Sequence, residues 1–104
     1  MSKFKNVSSG ILEISFNEQH RQSVSIGRSW VTDIRVSDIS ISRMHALLVR
    51  HHSGYILEDL GSTNGTFVNN KRIRTPTLIK PSDRIRLGKV ILIIKENIMA
   101  HAAC

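Results

Sequence analysis

Cysteine is nearly absent from this sequence. The single one, Cys104, closes a chain of 104 residues. No intramolecular disulfide framework is therefore possible, and a reducing setting, cytoplasmic or nuclear, is expected. Long hydrophobic runs are lacking too. The longest, Val90 to Ile94, is far too short to span a bilayer, so no membrane role is expected. No apolar stretch follows Met1-Ser2-Lys3-Phe4-Lys5, which argues against a secretory signal there. Aromatics are scarce, with Phe 3, Trp 1 and Tyr 1. Single-strand nucleic-acid binders combine basic grooves with exposed rings, so direct nucleic-acid binding is disfavoured. Acidic residues are the rarer charge: 8 Asp+Glu against 15 Lys+Arg leave a net charge of +7. That excess suits an anionic partner, of which a phosphorylated protein is one kind.

Helical periodicity is missing as well. What is there is a succession of short alternating segments between turn signals, which predicts one all-β domain, an antiparallel β-sandwich of about ten to eleven short strands. Leu12, Ile14 and Phe16 share one face of a strand, with Ile11, Glu13 and Ser15 opposite. Asn17 to His20 reads as a polar turn. Val24 and Ile26 alternate with Ser23 and Ser25, and Ile34 and Val36 flank Arg35. Ala46 to Arg50 and Tyr55 to Leu60 suggest a hairpin turned at His52-Ser53-Gly54.

Asn64-Gly65 is the strongest two-residue turn signal and Asn69-Asn70 a weaker one. Pro76 and Pro81 confine Thr77-Leu78-Ile79 to an edge strand or an extended connection. Ile85 and Leu87 alternate with Arg84 and Arg86. Lys89 to Lys95 is apolar on both sides at its centre and predicts a buried strand. Trp30 is expected to pack on the sandwich edge. Residues 1–10 are taken as an N-terminal extension, 11–96 as the domain and 97–104 as a tail.

Three islands interrupt this ordinary β sequence: Gly27-Arg28, Ser42-Arg43-Met44-His45, and Gly61-Ser62-Thr63-Asn64-Gly65-Thr66. Each falls where a strand gives way to a loop, and together they supply cations, hydroxyls and an amide. That chemistry suits holding a phosphate beside a peptide backbone. Taken singly, the same residues have plainer roles: Arg28 as a solvated charge, Ser42 as a backbone cap, Asn64-Gly65 as a turn.

Catalysis is not expected. A Ser42–His45–Asp59 triad lacks a nucleophile elbow, and the glycine-containing island lacks the Gly-Lys-Ser/Thr ending of a phosphate-binding P-loop. Nor is a metal site expected. Adjacent His51 and His52 should point to opposite faces of a strand, and neither a cysteine nor a carboxylate completes a set with His20 or His101. No cofactor and no small-molecule substrate are implied.

The islands, with Ser82-Asp83-Arg84-Ile85-Arg86-Leu87-Gly88 further on, resemble the forkhead-associated (FHA) domain, a β-sandwich module that binds phosphothreonine peptides. The resemblance runs from about Ile11 to Ile94. Ser82 stands where the family more usually has Gly. Carried over, it implies that Arg28 pairs with the phosphate and Ser42 donates a hydroxyl to it. Arg43 would contact the phosphate or the peptide main chain, and Thr63 and Asn64 would grip the peptide backbone. Gly27, His45, Gly61 and Gly65 would shape the loops.

The resemblance also implies a monomeric, non-catalytic signalling adaptor with ligand loops at one end and a threonine-phosphorylated protein as partner. Its stronger preference for phosphothreonine over phosphoserine cannot come from burying one methyl group alone. That is worth about 0.8 kcal/mol, or roughly fourfold. A preformed niche for the methyl is expected among the Ser42, Thr63 and Asn64 loops. Ser40, Ile41 and Asn69 to Arg74 are candidates for reading the residues after the phosphothreonine.

Overall fold

A computed structural model describes residues 3–5, 10–16, 23–52 and 54–96. The expectations for residues 17–20 and 97–104, and for His20, His101 and Cys104, lie outside that range. Among the described residues there are eleven strands. They are β1 (Lys3–Lys5), β2 (Ile11–Phe16), β3 (Ser23–Gly27), β4 (Ile34–Val36), β5 (Ala46–His51) and β6 (Gly54–Asp59). Then follow β7 (Thr66–Val68), β8 (Lys71–Arg72), β9 (Thr77–Ile79), β10 (Ile85–Leu87) and β11 (Val90–Glu96). One sheet runs β1-β4-β3-β5-β6-β9 and the other β2-β11-β10-β7-β8.

Alternation decides what the sandwich buries. Leu12 and Ile14 point inward while Ile11 and Glu13 are exposed, and Ile85 and Leu87 are buried around half-exposed Arg86. With Ile26, Val36, Leu48, Leu57 and Leu92 they form one continuous core. Each such side chain contributes about 1.5–3 kcal/mol by leaving water. β9 lies at the edge of its sheet, where the flanking Pro76 and Pro81 cost no ladder hydrogen bond.

Several expectations need correction. The pairing is mixed rather than antiparallel throughout: β1–β4, β3–β4 and β2–β11 are parallel. A parallel neighbour normally needs a long crossover. Residues 28–33 suffice between β3 and β4 because the two strands overlap only at Ile26↔Ile34 and Gly27↔Arg35. Residues 3–5, set apart in the sequence as extension, add β1 to the first sheet. β11 is not buried on both sides; Ile91 and Ile93 face outward.

Of the two Asn turn signals, the weaker is the one that closes a hairpin, as expected of it, and the stronger is not. Asn69 and Asn70 both have positive φ, 52° and 70°, and close a two-residue hairpin between β7 and β8. That is the backbone a type I′ turn demands. Asn64-Gly65 closes no hairpin, because β6 and β7 belong to different sheets and the 60–65 loop carries the chain from one to the other. The rings of His51 and His52 stack on each other, centroids 4.2 Å apart, instead of pointing to opposite faces. Trp30 does not pack on the sandwich: it is 71% exposed, with the Arg35 guanidinium 3.9 Å from its ring centroid.

Candidate functional site

Three connections converge at one end of the sandwich: 28–33 after β3, 37–45 after β4 and 60–65 after β6. Backbone hydrogen bonds join the first two. The Arg28 N–H donates to Ser42 O at 2.9 Å and the Ser29 N–H to Arg43 O at 3.1 Å. So close an approach requires glycine at the end of β3. A Cβ on Gly27 would lie 2.0 Å from the Arg43 carbonyl oxygen, inside any tolerable contact.

His45 is the hub of the three. Its side chain is fully buried. The Ser42 N–H donates to Nδ1 at 3.1 Å, which puts the ring proton on Nε2, and Nε2–H donates to Gly65 O at 2.9 Å. Both imidazole nitrogens are thus committed to backbone, so Ser42, His45 and Asp59 do not form a catalytic relay. His45 also fixes the neighbouring strands, donating its N–H to Ile26 O and accepting the Leu60 N–H on its carbonyl.

Asp59 organises the third loop from the end of β6. Its Oδ2 accepts the N–H groups of Gly61 and Ser62, at 3.0 and 3.1 Å. Its Oδ1 accepts the hydroxyls of Ser62 and Thr66. The Ser62 hydroxyl oxygen accepts the Gly65 N–H in turn. Burial pushes the Asp59 carboxyl up, but hydrogen bonds from Ser62, Thr66 and Gly61 more than offset this and hold it below the ordinary carboxylate range. Gly65 sits at φ 92°, in the left-handed region where a side chain would be strained. Gly61, exposed at φ 78°, opens the same loop.

On this scaffold the sequence-predicted residues meet. Ser42 Oγ accepts the Thr63 N–H at 3.0 Å, joining the second loop to the third. The Asn64 amide nitrogen donates to Ser40 O at 2.9 Å. Arg28 donates from Nε to Ile41 O at 2.9 Å, and the residue remains exposed. Arg43 and Thr63 are exposed at the same loops. Ser40 and Ile41, expected to read the ligand's flanking residues, are buried instead. Ser40 Oγ donates to Asp38 and accepts the Lys89 N–H, tying the site to the β10–β11 turn.

Of the organising residues, Asp59 and Asp38 were not recognised as such in the sequence. Asp38 precedes Ser40 by the two residues of an Asx turn, and Asp59 stands two residues before Gly61 and three before Ser62; these spacings are the signal the sequence offers.

Loops of this build on a two-sheet sandwich match a known family model. Residues 24–88 fit the model described as the FHA domain. The chain belongs to the FHA-domain family. This FHA domain is 33% identical over 77 residues to the oxoglutarate dehydrogenase inhibitor of Corynebacterium diphtheriae, covering 74% of this chain and 53% of that protein. The chain therefore spans about half the length of that relative.

Among solved structures, the FHA domain of the CT664 protein from Chlamydia trachomatis superposes with a TM-score of 0.63 at 32% identity, over 66% of this chain and 71% of that one. EmbR of Mycobacterium tuberculosis, solved in complex with a low-affinity phosphopeptide, gives 0.61 at 32% identity, over 69% of this chain and 20% of that one. FHA domains are phosphothreonine-peptide-binding interaction modules. No helix among the described residues is long and apolar enough to cross a membrane.

The His45 arrangement predicts acid sensitivity. Burial lowers the imidazole pKa below 6.5, while the Gly65 carbonyl and the Asp59 charge pull the other way. The unfolded chain takes up this proton below about pH 6.5 and the native state only at lower pH, so the unfolded state binds more protons in that window. Native stability, complete above that pH, therefore falls as the solution is acidified, and the depressed Asp59 carboxyl adds loss in the same direction lower down. NMR titration of the His45 ring should show it still neutral at pH 6.5; a midpoint at or above 6.5 would contradict the assignment.

Proposed function

We propose that this domain docks onto a partner protein only after a threonine of that partner is phosphorylated, and that Arg28, Ser42, Arg43, Thr63 and Asn64 form the contact. The observation that carries the reading is the double staple at Ser42. Its carbonyl accepts the Arg28 N–H and its hydroxyl oxygen accepts the Thr63 N–H, so all three loops meet at this one residue. With that oxygen taken as acceptor, the Ser42 O–H proton is left to donate outward, as a phosphate oxygen requires.

Arg28 spends Nε on Ile41 O, which orients the rest of its fork. The terminal nitrogens then pair with two phosphate oxygens, a geometry Lys cannot copy. Asn64 spends its amide nitrogen on Ser40 O and offers its carbonyl oxygen to a peptide N–H. Arg43 adds charge at the rim. Phosphothreonine brings about −1.5 to −2 charges and three acceptor oxygens, which these donors match. The domain works as a monomeric adaptor without catalysis of its own, in a reducing compartment, cytoplasmic or nuclear, as its lone Cys104 suggests.

Titration calorimetry with three matched peptides tests the reading. The phosphothreonine form should bind, the unmodified form should not, and the phosphoserine form should be weaker by more than the roughly fourfold that a buried methyl supplies. Equal binding of the unmodified peptide would overturn the assignment. Equal binding of phosphoserine would remove the methyl niche while leaving the phosphate contacts.

A further inference from the structure

The outer face of the second sheet carries a pattern that phosphate recognition does not use. Cross-strand register places Ile11, Ile91, Arg86, Phe67 and Arg72 in one row across β2, β11, β10, β7 and β8. Ile93 follows beside Ile91, opposite Glu13. A sheet face turned to water normally presents polar residues. Here Ile11, Ile91 and Ile93 are 41%, 47% and 36% exposed. A cavity of about 310 Å³ opens on the same face, lined by Phe67, Asp83, Arg84, Arg86, Ile91 and Ile93 among others.

Cations outnumber acids here: Arg72, Arg84, Arg86 and Lys95 stand against Glu13 on the face and Asp83 in the cavity lining. The Arg86 guanidinium carbon sits over the Phe67 ring, 4.0 Å from its centroid, and Arg86 donates to Gly88 O, so its guanidinium is fixed over the cavity wall. Arg84 is exposed beside it. Neither has a carboxylate within ion-pair distance among the described residues. Both acids are already engaged: Asp83 accepts from the Lys80 N–H and Asn69, and Glu13 pairs with Lys95.

From this juxtaposition we infer a second docking surface, for a segment of a partner protein whose apolar side chains alternate with Asp or Glu. Apolar side chains would fill the cavity between Ile91, Ile93 and Phe67, and carboxylates would pair with Arg84 and Arg86. A second copy of this chain would bring together two faces that each carry an excess of cations. The residues after Glu96 contain no Asp or Glu, so they do not supply that chemistry either. The surface lies on a sheet face rather than at the loop end, so both can be occupied at once.

The test uses a short synthetic peptide alternating leucine with glutamate, added to the isotope-labelled full chain and followed by NMR. Shifts should concentrate at residues 84–86, 91 and 93 and not at residues 28, 42 and 63. A serine–glutamate peptide and a leucine–lysine peptide should each bind about tenfold or more weaker. Arg84→Glu and Ile93→Ser, both at exposed positions, should each weaken the leucine–glutamate peptide about tenfold while leaving phosphothreonine-peptide binding unchanged. Equal binding of the three peptides would overturn the inference, as would shifts confined to the loop end. So would occupation of this face by anionic vesicles or duplex DNA in preference to the peptide, or by a second copy as concentration rises. Because the readout is residue-specific, it stands or falls separately from the phosphate assignment.

Discussion

Replacing Arg28 by alanine should abolish phosphothreonine-peptide binding while leaving the fold nearly intact. Hydrogen bonds to charged groups contribute about 1.5–3 kcal/mol each, and two of them lost together weaken binding by at least about a hundredfold. The fold loses much less. The Nε donation to Ile41 O disappears, at an exposed residue where water can replace it, while the Arg28 N–H to Ser42 O bond is backbone and persists. Arg28→Lys should recover charge but not the paired geometry, and so little of the affinity. Calorimetry together with thermal unfolding separates the two effects. Full binding by Arg28→Ala would show that the phosphate sits elsewhere.

His45→Ala should fail differently, losing stability and binding together. The substitution leaves the part-buried Ser42 N–H and the buried Gly65 C=O without partners, and a buried group so left costs about 1–3 kcal/mol. It also opens a cavity where a fully buried ring stood. Together these amount to roughly 3–6 kcal/mol, a large part of the about 5–15 kcal/mol that holds a domain of this size. The expected result is a marked drop in the unfolding midpoint, with residual folded protein binding phosphopeptide weakly because Ser42 and Gly65 no longer hold their loops in place. A His45→Ala protein with wild-type unfolding and reduced binding would assign His45 to the ligand rather than to the scaffold.

The contrast between these variants reflects how the sequence could be read. Arg28, Ser42, Thr63 and Asn64 were legible because their chemistry is out of place at strand ends, and the structure brings their loops to one end of the sandwich. Inward alternation was legible at Leu12 and Ile14 and at Ile85 and Leu87, since one buried face imposes a period of two.

What was not legible depends on partners distant in sequence. Asn64-Gly65 has better hairpin chemistry than Asn69-Asn70, yet only the latter joins strands that pair, because the partner of β7 is β10 and not β6. Parallel pairing of β2 with β11 joins elements near opposite ends of the chain, which no local signal encodes. Ile91 and Ile93 read as core because hydrophobicity alone does not say which face of a strand is covered. The same ambiguity made Ser40 and Ile41 look like readers of a ligand when they are buried against the β10–β11 turn and the core.

The central claim is a cradle for a dianion made from Arg28 and Ser42 beside the Thr63–Asn64 turn. Its most direct test is NMR of the labelled domain during titration with a phosphothreonine peptide, observing the arginine side-chain N–H signals as well as the backbone. The account predicts that the Arg28 guanidinium protons and the amides of Ser42, Arg43, Thr63 and Asn64 shift together and saturate at one peptide per domain. Saturable binding that leaves the Arg28 side-chain signals unmoved would contradict it.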